Sequence, residues 1–306
     1  MTPIEQIKQI LDDGVISQAK LAKEAGINPG ALSSYLKGNY AGNSENLEQA
    51  LSQWLARRET KQQRFVQAPD FIQTATATQI HNAFEFARIL GTIATVYGMS
   101  GAGKTRAAQE FKRNNQNVWI VTASPSRSTL SEILYEMALE IGLTDAPRRS
   151  GMLSRLIMKK LTGTQGLMII DEADHLPYQA LEEIRILQEE SGIGFVLIGN
   201  DKVYTRMRGA THQAHEFARL WSRISKHVSI QKCKKNDVVA IANAWGLDTN
   251  DQEMMSLLSE IGAGGGGLRS LTQTLRLAGI HAKGQDSVIT RDLVLAAQAE
   301  LGGKNG

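Results

Sequence analysis

The sequence predicts an α/β protein whose parallel sheet is flanked by helices, with an all-helical segment before it and another after it. Three observations carry that expectation. Thr92 to Tyr97 is a β-type run, Leu167 to Ile170 is wholly apolar and reads as a buried parallel strand, and Gly194 to Gly199 reads as a third strand. Helical periodicity fills the stretches around them, the spacing that crossover-linked parallel strands need. Finally, Gly98-Met-Ser-Gly-Ala-Gly103-Lys104-Thr105 fits G-x-x-x-x-G-K-[ST] in full, directly after one such run and before a helix.

The chain has 306 residues and a net charge of +3, enough length for one large domain and one or two small ones. Its one cysteine, Cys233, has no internal partner, and no Cys/His cluster has zinc spacing, so a reducing cytoplasm is the expected compartment. Residues 1–13 alternate charged and apolar side chains, unlike a secretory signal. No apolar run approaches the roughly 18 residues of a membrane span, and a soluble protein is expected. Charge is uneven. Residues 1–60 carry six basic against seven acidic side chains, whereas residues 202–235 set nine basic side chains against Glu216 alone. Such a stretch suits phosphates of DNA, a neighbouring nucleotide, or simply water.

Residues 1–60 read as short helices. Ile4, Ile7, Ile10 and Leu11 share a face, and Ser17 caps a second apolar-periodic run. From Ser17 to Leu36 the run has small Ala22 in mid-helix, Gly26 at a bend, Ile27 as a plug and a new helix after Asn28-Pro29. It resembles the helix-turn-helix of phage-repressor-like domains, in which Ser33, Ser34, Tyr35 and Lys37 would face DNA. The near-neutral charge leaves a protein-docking module as the alternative. Polar residues 61–76 read as a linker, and a helix spans roughly Ala77 to Leu90.

The glycine turn after the first strand lets successive backbone N–H groups and a helix N-terminus face phosphates. Gly98, Met99, Ser100, Gly101, Ala102, Gly103, Lys104, Thr105 and Arg106 are the candidate nucleotide contacts, with Lys104 on the β- and γ-phosphates and Thr105 on Mg²⁺. Leu167-Met-Ile-Ile170 is an apolar strand ending in Asp171-Glu172, which suits Asp171 to Mg²⁺ and Glu172 to the role of general base. Asn200, after the third run, stands where ATPases that this pattern resembles place a polar residue touching the γ-phosphate and the attacking water, and is a candidate sensor.

From about residue 75 to 300 the chain resembles AAA+ ATPases. The resemblance implies a P-loop core over residues 77–232 and a helical lid over 233–306. In Phe217 to Ile224 it implies an arginine finger that completes a neighbouring subunit's site, Arg223 as first choice and Arg219 as second, followed by a strand from Lys226 to Ile230. Arg269, after Gly264 to Gly267, fits the lid arginine that contacts nucleotide, and the four glycines are expected to loosen the lid.

Helix-turn-helix, single AAA+ module and short helical tail together resemble the phage Mu B protein family, ATP-dependent target-DNA activators of transposition. That resemblance implies ATP and Mg²⁺ as ligands, polymerisation on duplex DNA with little sequence preference, a partner transposase, and disassembly on hydrolysis. It places DNA contacts in the ATPase core, with Arg127, Arg148, Arg149, Lys159 and Lys160 as candidates. The rivals are an AAA+ helicase loader or replication initiator and an ATP-switched helix-turn-helix transcriptional regulator. Asp171-Glu-Ala-Asp174 also spells the tetrapeptide of DEAD-box RNA helicases. Those need two RecA-like lobes and a Ser-Ala-Thr motif, which one P-loop and Gly199-Asn200 do not supply.

Overall fold

The structure is a computed structural model that describes residues 3–40, 42, 44–64, 69–201 and 222–302. The chain divides into two compact units, residues 1–68 with 279–288, and residues 69–278 with 289–306.

In the first unit, α1 (Pro3–Asp12), α2 (Gln18–Ala25), α3 (Pro29–Leu36) and α4 (Ser44–Arg64) enclose a core that includes Ile7, Leu21, Leu32, Leu51 and Trp54. Local chemistry sets the boundaries of α2 and α3. Ser17 accepts from the Lys20 amide at 3.3 Å to start α2, and Gly26, left-handed at φ 71°, ends it. Asn28 then caps α3 by accepting from the Gly30 amide at 2.8 Å, with Pro29 in the first turn. Helix α4 runs past position 60 to Arg64, into the stretch read from sequence as linker, because its residues there are good helix formers.

The second unit is built on a five-stranded parallel sheet in the order β2-β3-β4-β1-β5. Its strands are β1 (Ile93–Gly98), β2 (Val118–Thr122), β3 (Leu167–Asp171), β4 (Gly194–Gly199) and β5 (Ile224–Ile230). Strand β5 begins at Ile224, ahead of the sequence expectation, paired with Ile93 of β1. Alternate residues of β3 and β4 feed two separate cores. Met168, Ile170, Phe195 and Leu197 pack on one side with α7 (Leu130–Glu140), α8 (Ser150–Leu161) and α9 (Tyr178–Ser191). Leu167, Ile169, Val196 and Ile198 pack on the other with α5 (Ala75–Leu90) and α6 (Lys104–Asn114). This two-sided burial is why these strands show no polar alternation.

After β5, α10 (Lys235–Ala244), α11 (Gln252–Ala263), α12 (Gly267–Gly284) and α13 (Arg291–Glu300) follow, with a helical core that includes Ile241, Leu258, Leu271, Leu275 and Val294. Asp237 of α10, fully buried, joins this subdomain to the sheet by accepting hydrogen bonds from Thr76 in the first turn of α5. No helix among the described residues is long and apolar enough to cross a membrane.

Candidate nucleotide site

The parallel strands all end along one edge of the sheet, where the departing loops leave room for a ligand. The turn from β1 to α6 lies there, and glycine shapes its backbone. Gly101 has φ 75°, and a Cβ on it would stand 1.9 Å from the carbonyl oxygen of Gly266 in the helical subdomain. Gly103, at φ 89°, delivers the chain into α6 with no side-chain cap, so the first N–H groups of that helix suit an anion.

Lys104 donates to the carbonyl oxygens of Gly98 at 2.9 Å and Met99 at 2.8 Å. Burial lowers its pKa from the ordinary lysine value, while the carboxylates of Asp171, Glu172, Asp201 and Asp174 pull the other way. The Thr105 hydroxyl donates to Asp171 Oδ2 at 2.7 Å. A hydroxyl beside a buried carboxylate is the hard oxygen set that Mg²⁺ prefers, so these residues fit that ion. Asp171 Oδ1 accepts from the Glu172 amide at 3.0 Å, and Glu172 itself is held in the left-handed region at φ 54°. A glutamate in that conformation costs on the order of 1 kcal/mol, strain of the kind that gathers where side-chain direction matters.

One cavity of about 430 Å³ collects these groups. Ser100 to Arg106, Asp171, Glu172, Gly199 and Asn200 line it from the sheet domain, and Leu268, Arg269, Thr272, Gln273 and Arg276 from α12. Pro69 to Ile72, Thr74, Ala77 and Ile241 add a largely apolar end. The Arg106 guanidinium donates to the Asp70 carbonyl, holding that segment beside the turn. Asp70, Phe71 and Ile72 carry no motif that would have marked them in the sequence. Thr272, Gln273 and Arg276 were equally unforeseen, although their spacing from Arg269 by three, four and seven positions marks one helix face.

Two glycines of the run, Gly266 and Gly267, lie against the glycine turn where α12 begins. The Gly266 carbonyl is the atom that a Cβ on Gly101 would strike, and Gly267, left-handed at φ 57°, lies so near the turn that its own Cβ would stand 3.2 Å from the Ser100 carbonyl oxygen. The Arg269 amide donates to the Gly101 carbonyl at 3.1 Å across the same contact.

Arg223 lies at the opposite edge of the sheet. It precedes Ile224, which pairs with Ile93 at the start of β1, whereas Gly98 pairs with Ile230. That separates Arg223 from the glycine turn by about 20 Å of strand, and its guanidinium faces Glu189 at 3.7 Å. Arg219 and the rest of the basic stretch from 202 to 221 lie outside the described residues.

The basic candidates divide in two. Arg127 Nη1 lies 3.5 Å from Glu136, and Arg148 pairs with Glu132 at 3.5 Å while stacking on the Tyr135 ring at 4.1 Å. The Ser131 hydroxyl donates to the Arg148 carbonyl at 3.0 Å, so Arg127, Arg148 and the adjacent Arg149 gather around the start of α7. Lys159 and Lys160 sit in the last turn of α8, about 15 Å along the helix from Arg149. In the first unit, the Tyr35 hydroxyl donates to Glu48 at 2.9 Å, Ser33 and Ser34 are half-buried on α3, and Lys37 is exposed just after it.

With the phosphate turn, the carboxylate strand and the helical lid closing on one cavity, the class follows: this is a P-loop ATPase of the AAA type, and residues 90–207 match the family described as AAA domain. Residues 222–301 match the family described as Mu B transposition protein, C terminal. The chain is 60% identical over 274 residues to the Mu-like prophage FluMu DNA transposition protein B of Haemophilus influenzae, covering 90% of this chain and 95% of that one. It is 42% identical over 295 residues to the ATP-dependent target DNA activator B of Escherichia phage Mu, covering 96% and 93%. The chain therefore belongs to the Mu B family of transposition proteins. That membership favours neither the helicase-loader or initiator reading nor the transcriptional-regulator one.

Proposed function

We propose that this chain is an ATP-dependent activator of target DNA for transposition. It binds ATP with Mg²⁺ in the cytoplasm of a bacterial host, assembles as a filament or ring of identical subunits on duplex DNA, and presents that DNA to a partner transposase. Hydrolysis then releases the assembly. The observation that carries the reading is the Thr105–Asp171 contact at 2.7 Å beside a glycine turn, in a chain of the Mu B family.

ATP is the substrate, its base suited to the apolar end of the cavity and its phosphates to the turn. Lys104 exchanges its carbonyl partners for the β- and γ-phosphates, and the N-terminus of α6 adds its backbone donors. Mg²⁺, when bound, neutralises phosphate charge, and Thr105 and Asp171 would hold it. Glu172 takes a proton from the attacking water, Asn200 orients that water, and Arg269 approaches the phosphates from the lid. Arg223 serves the site of a neighbouring copy, because its own site lies a strand's length away; Arg219 is the alternative. Arg127, Arg148 and Arg149 form one candidate contact to DNA phosphates, and Lys159 with Lys160 a second. Ser33, Ser34, Tyr35 and Lys37 belong to a helical domain that meets DNA or protein.

Electron microscopy of the full chain with duplex DNA tests the reading. Ordered polymers are expected with ATP and not with ADP or without nucleotide, and DNA affinity should fall steeply with salt. Identical assemblies in all three conditions would overturn it.

A further inference from the structure

We propose that Asp174 is a positioning residue for Asn200, a role that rests on the reading of Asn200 above. Asp174 lies in the 3-10 turn Ala173–His175, immediately after Glu172, and that turn is closed by the His175 amide donating to the Glu172 carbonyl at 3.1 Å. Its carboxylate faces the end of β4. The Asn200 side-chain amide donates to Asp174 Oδ2 at 2.7 Å, and the Asn200 backbone N–H reaches Asp174 Oδ1 at 3.4 Å.

The chemistry of this pair fixes an orientation that Asn200 cannot fix alone. The two ends of an asparagine amide are nearly equal in shape, and rotation about its last torsion is broad. An ionised carboxylate only accepts hydrogen bonds, so Asp174 selects the NH₂ end. The carbonyl Oδ1 of Asn200 is thereby turned away from Asp174. An oxygen so directed accepts a hydrogen bond from water, whereas the flipped amide would donate one. Asn200 lines the cavity together with Glu172. A single turn thus carries the base and sets the orientation of the group that holds the water for it.

The test is a double-mutant cycle on the full chain with duplex DNA and Mg-ATP, following kcat, KM and the Kd of a fluorescent ATP analogue. Asn200→Ala is expected to lower kcat about 100-fold with Kd little changed, and Asp174→Ala to lower it about tenfold or more in the same way. The double variant should be no slower than Asn200→Ala, and Asp174→Asn, whose amide can accept from or donate to Asn200 and so favours neither orientation, should recover only part of the rate. Should Asp174→Ala fail to fold, the exchange Asp174→Asn with Asn200→Asp restores a donor–acceptor pair and should outpace Asn200→Asp alone. Wild-type kcat in Asp174→Ala, losses that multiply in the double variant, or an exchange no faster than Asn200→Asp would overturn the proposal. An Asn200→Ala protein with wild-type kcat would instead remove Asn200 from the proposed mechanism.

Discussion

Asp237 and Thr76 are 161 residues apart in sequence, yet the buried Asp237 carboxylate accepts from the Thr76 amide at 2.8 Å and from its hydroxyl at 2.5 Å. Asp237 also accepts from the Lys234 amide at 3.2 Å, so one side chain closes the start of α10 and the start of α5 together. Removing it leaves buried donors without a partner. Asp237→Ala is expected to cost roughly 2–4 kcal/mol, read as a fall in Tm of about 5–10 °C by differential scanning calorimetry. An unchanged Tm would mean that the lid is held elsewhere.

Gly101→Ala combines a left-handed backbone with a steric collision against Gly266. Gly163→Ala is its control, since Gly163 has φ 79° but no atom within 4 Å of a built Cβ. Nucleotide affinity should fall about 10–100-fold at Gly101, from strain of about 1–3 kcal/mol or more, and hold at Gly163. Equal affinities in a titration with a fluorescent ATP analogue would show that the close approach to the lid has no bearing on binding.

Binding and turnover should separate at two neighbouring elements. Lys104→Ala is expected to abolish nucleotide binding. Glu172→Gln should keep ATP and trap long assemblies on DNA, with kcat lowered about 10²–10⁴-fold. Single-turnover phosphate release measures the second outcome, and wild-type turnover in Glu172→Gln would remove that residue from the mechanism.

Position makes Arg223 testable by mixing. Arg223→Ala should lose about 10³-fold in kcat, and mixing it with Lys104→Ala protein should restore turnover that neither shows alone. A mixture as inactive as its components would argue against action on a neighbouring subunit.

Cys233 offers a pH test of the lid. Burial, then the nearby Asp237 carboxylate, raise its pKa from 9.0 to about 11. At neutral pH the thiolate is then about 100-fold scarcer than in an unperturbed thiol, and iodoacetamide labelling should slow in proportion. An acid whose folded pKa is raised keeps its proton longer in the folded state. Its contribution to stability is present below pH 9 and is lost as pH rises toward 11. Labelling at the free-thiol rate would contradict the half-buried setting.

Much of this site was legible because its chemistry is local in sequence. Gly98 to Thr105 is one continuous segment, and Asp171 with Glu172 follows one strand, so spacing alone proposed them; Ser100 to Thr105, Asp171 and Glu172 line one cavity, and Gly98 and Met99 meet Lys104 through their carbonyls. What escaped is contact between distant segments. Nothing in Thr76 or Asp237 taken singly announces their bond, and the Asp174–Asn200 pair depends on β4 ending beside the turn that follows β3. The close seat of the glycine run on the turn escaped for a related reason: backbone packed on backbone leaves no side-chain pattern to find. The apolar strands hid their two cores equally well, since alternation disappears when both faces are covered.

The bond from the Arg269 amide to the Gly101 carbonyl is made by main-chain atoms alone. Replacing the Arg269 side chain therefore leaves this seat of the lid on the turn fastened. Variants at that position are expected to keep the same docked geometry.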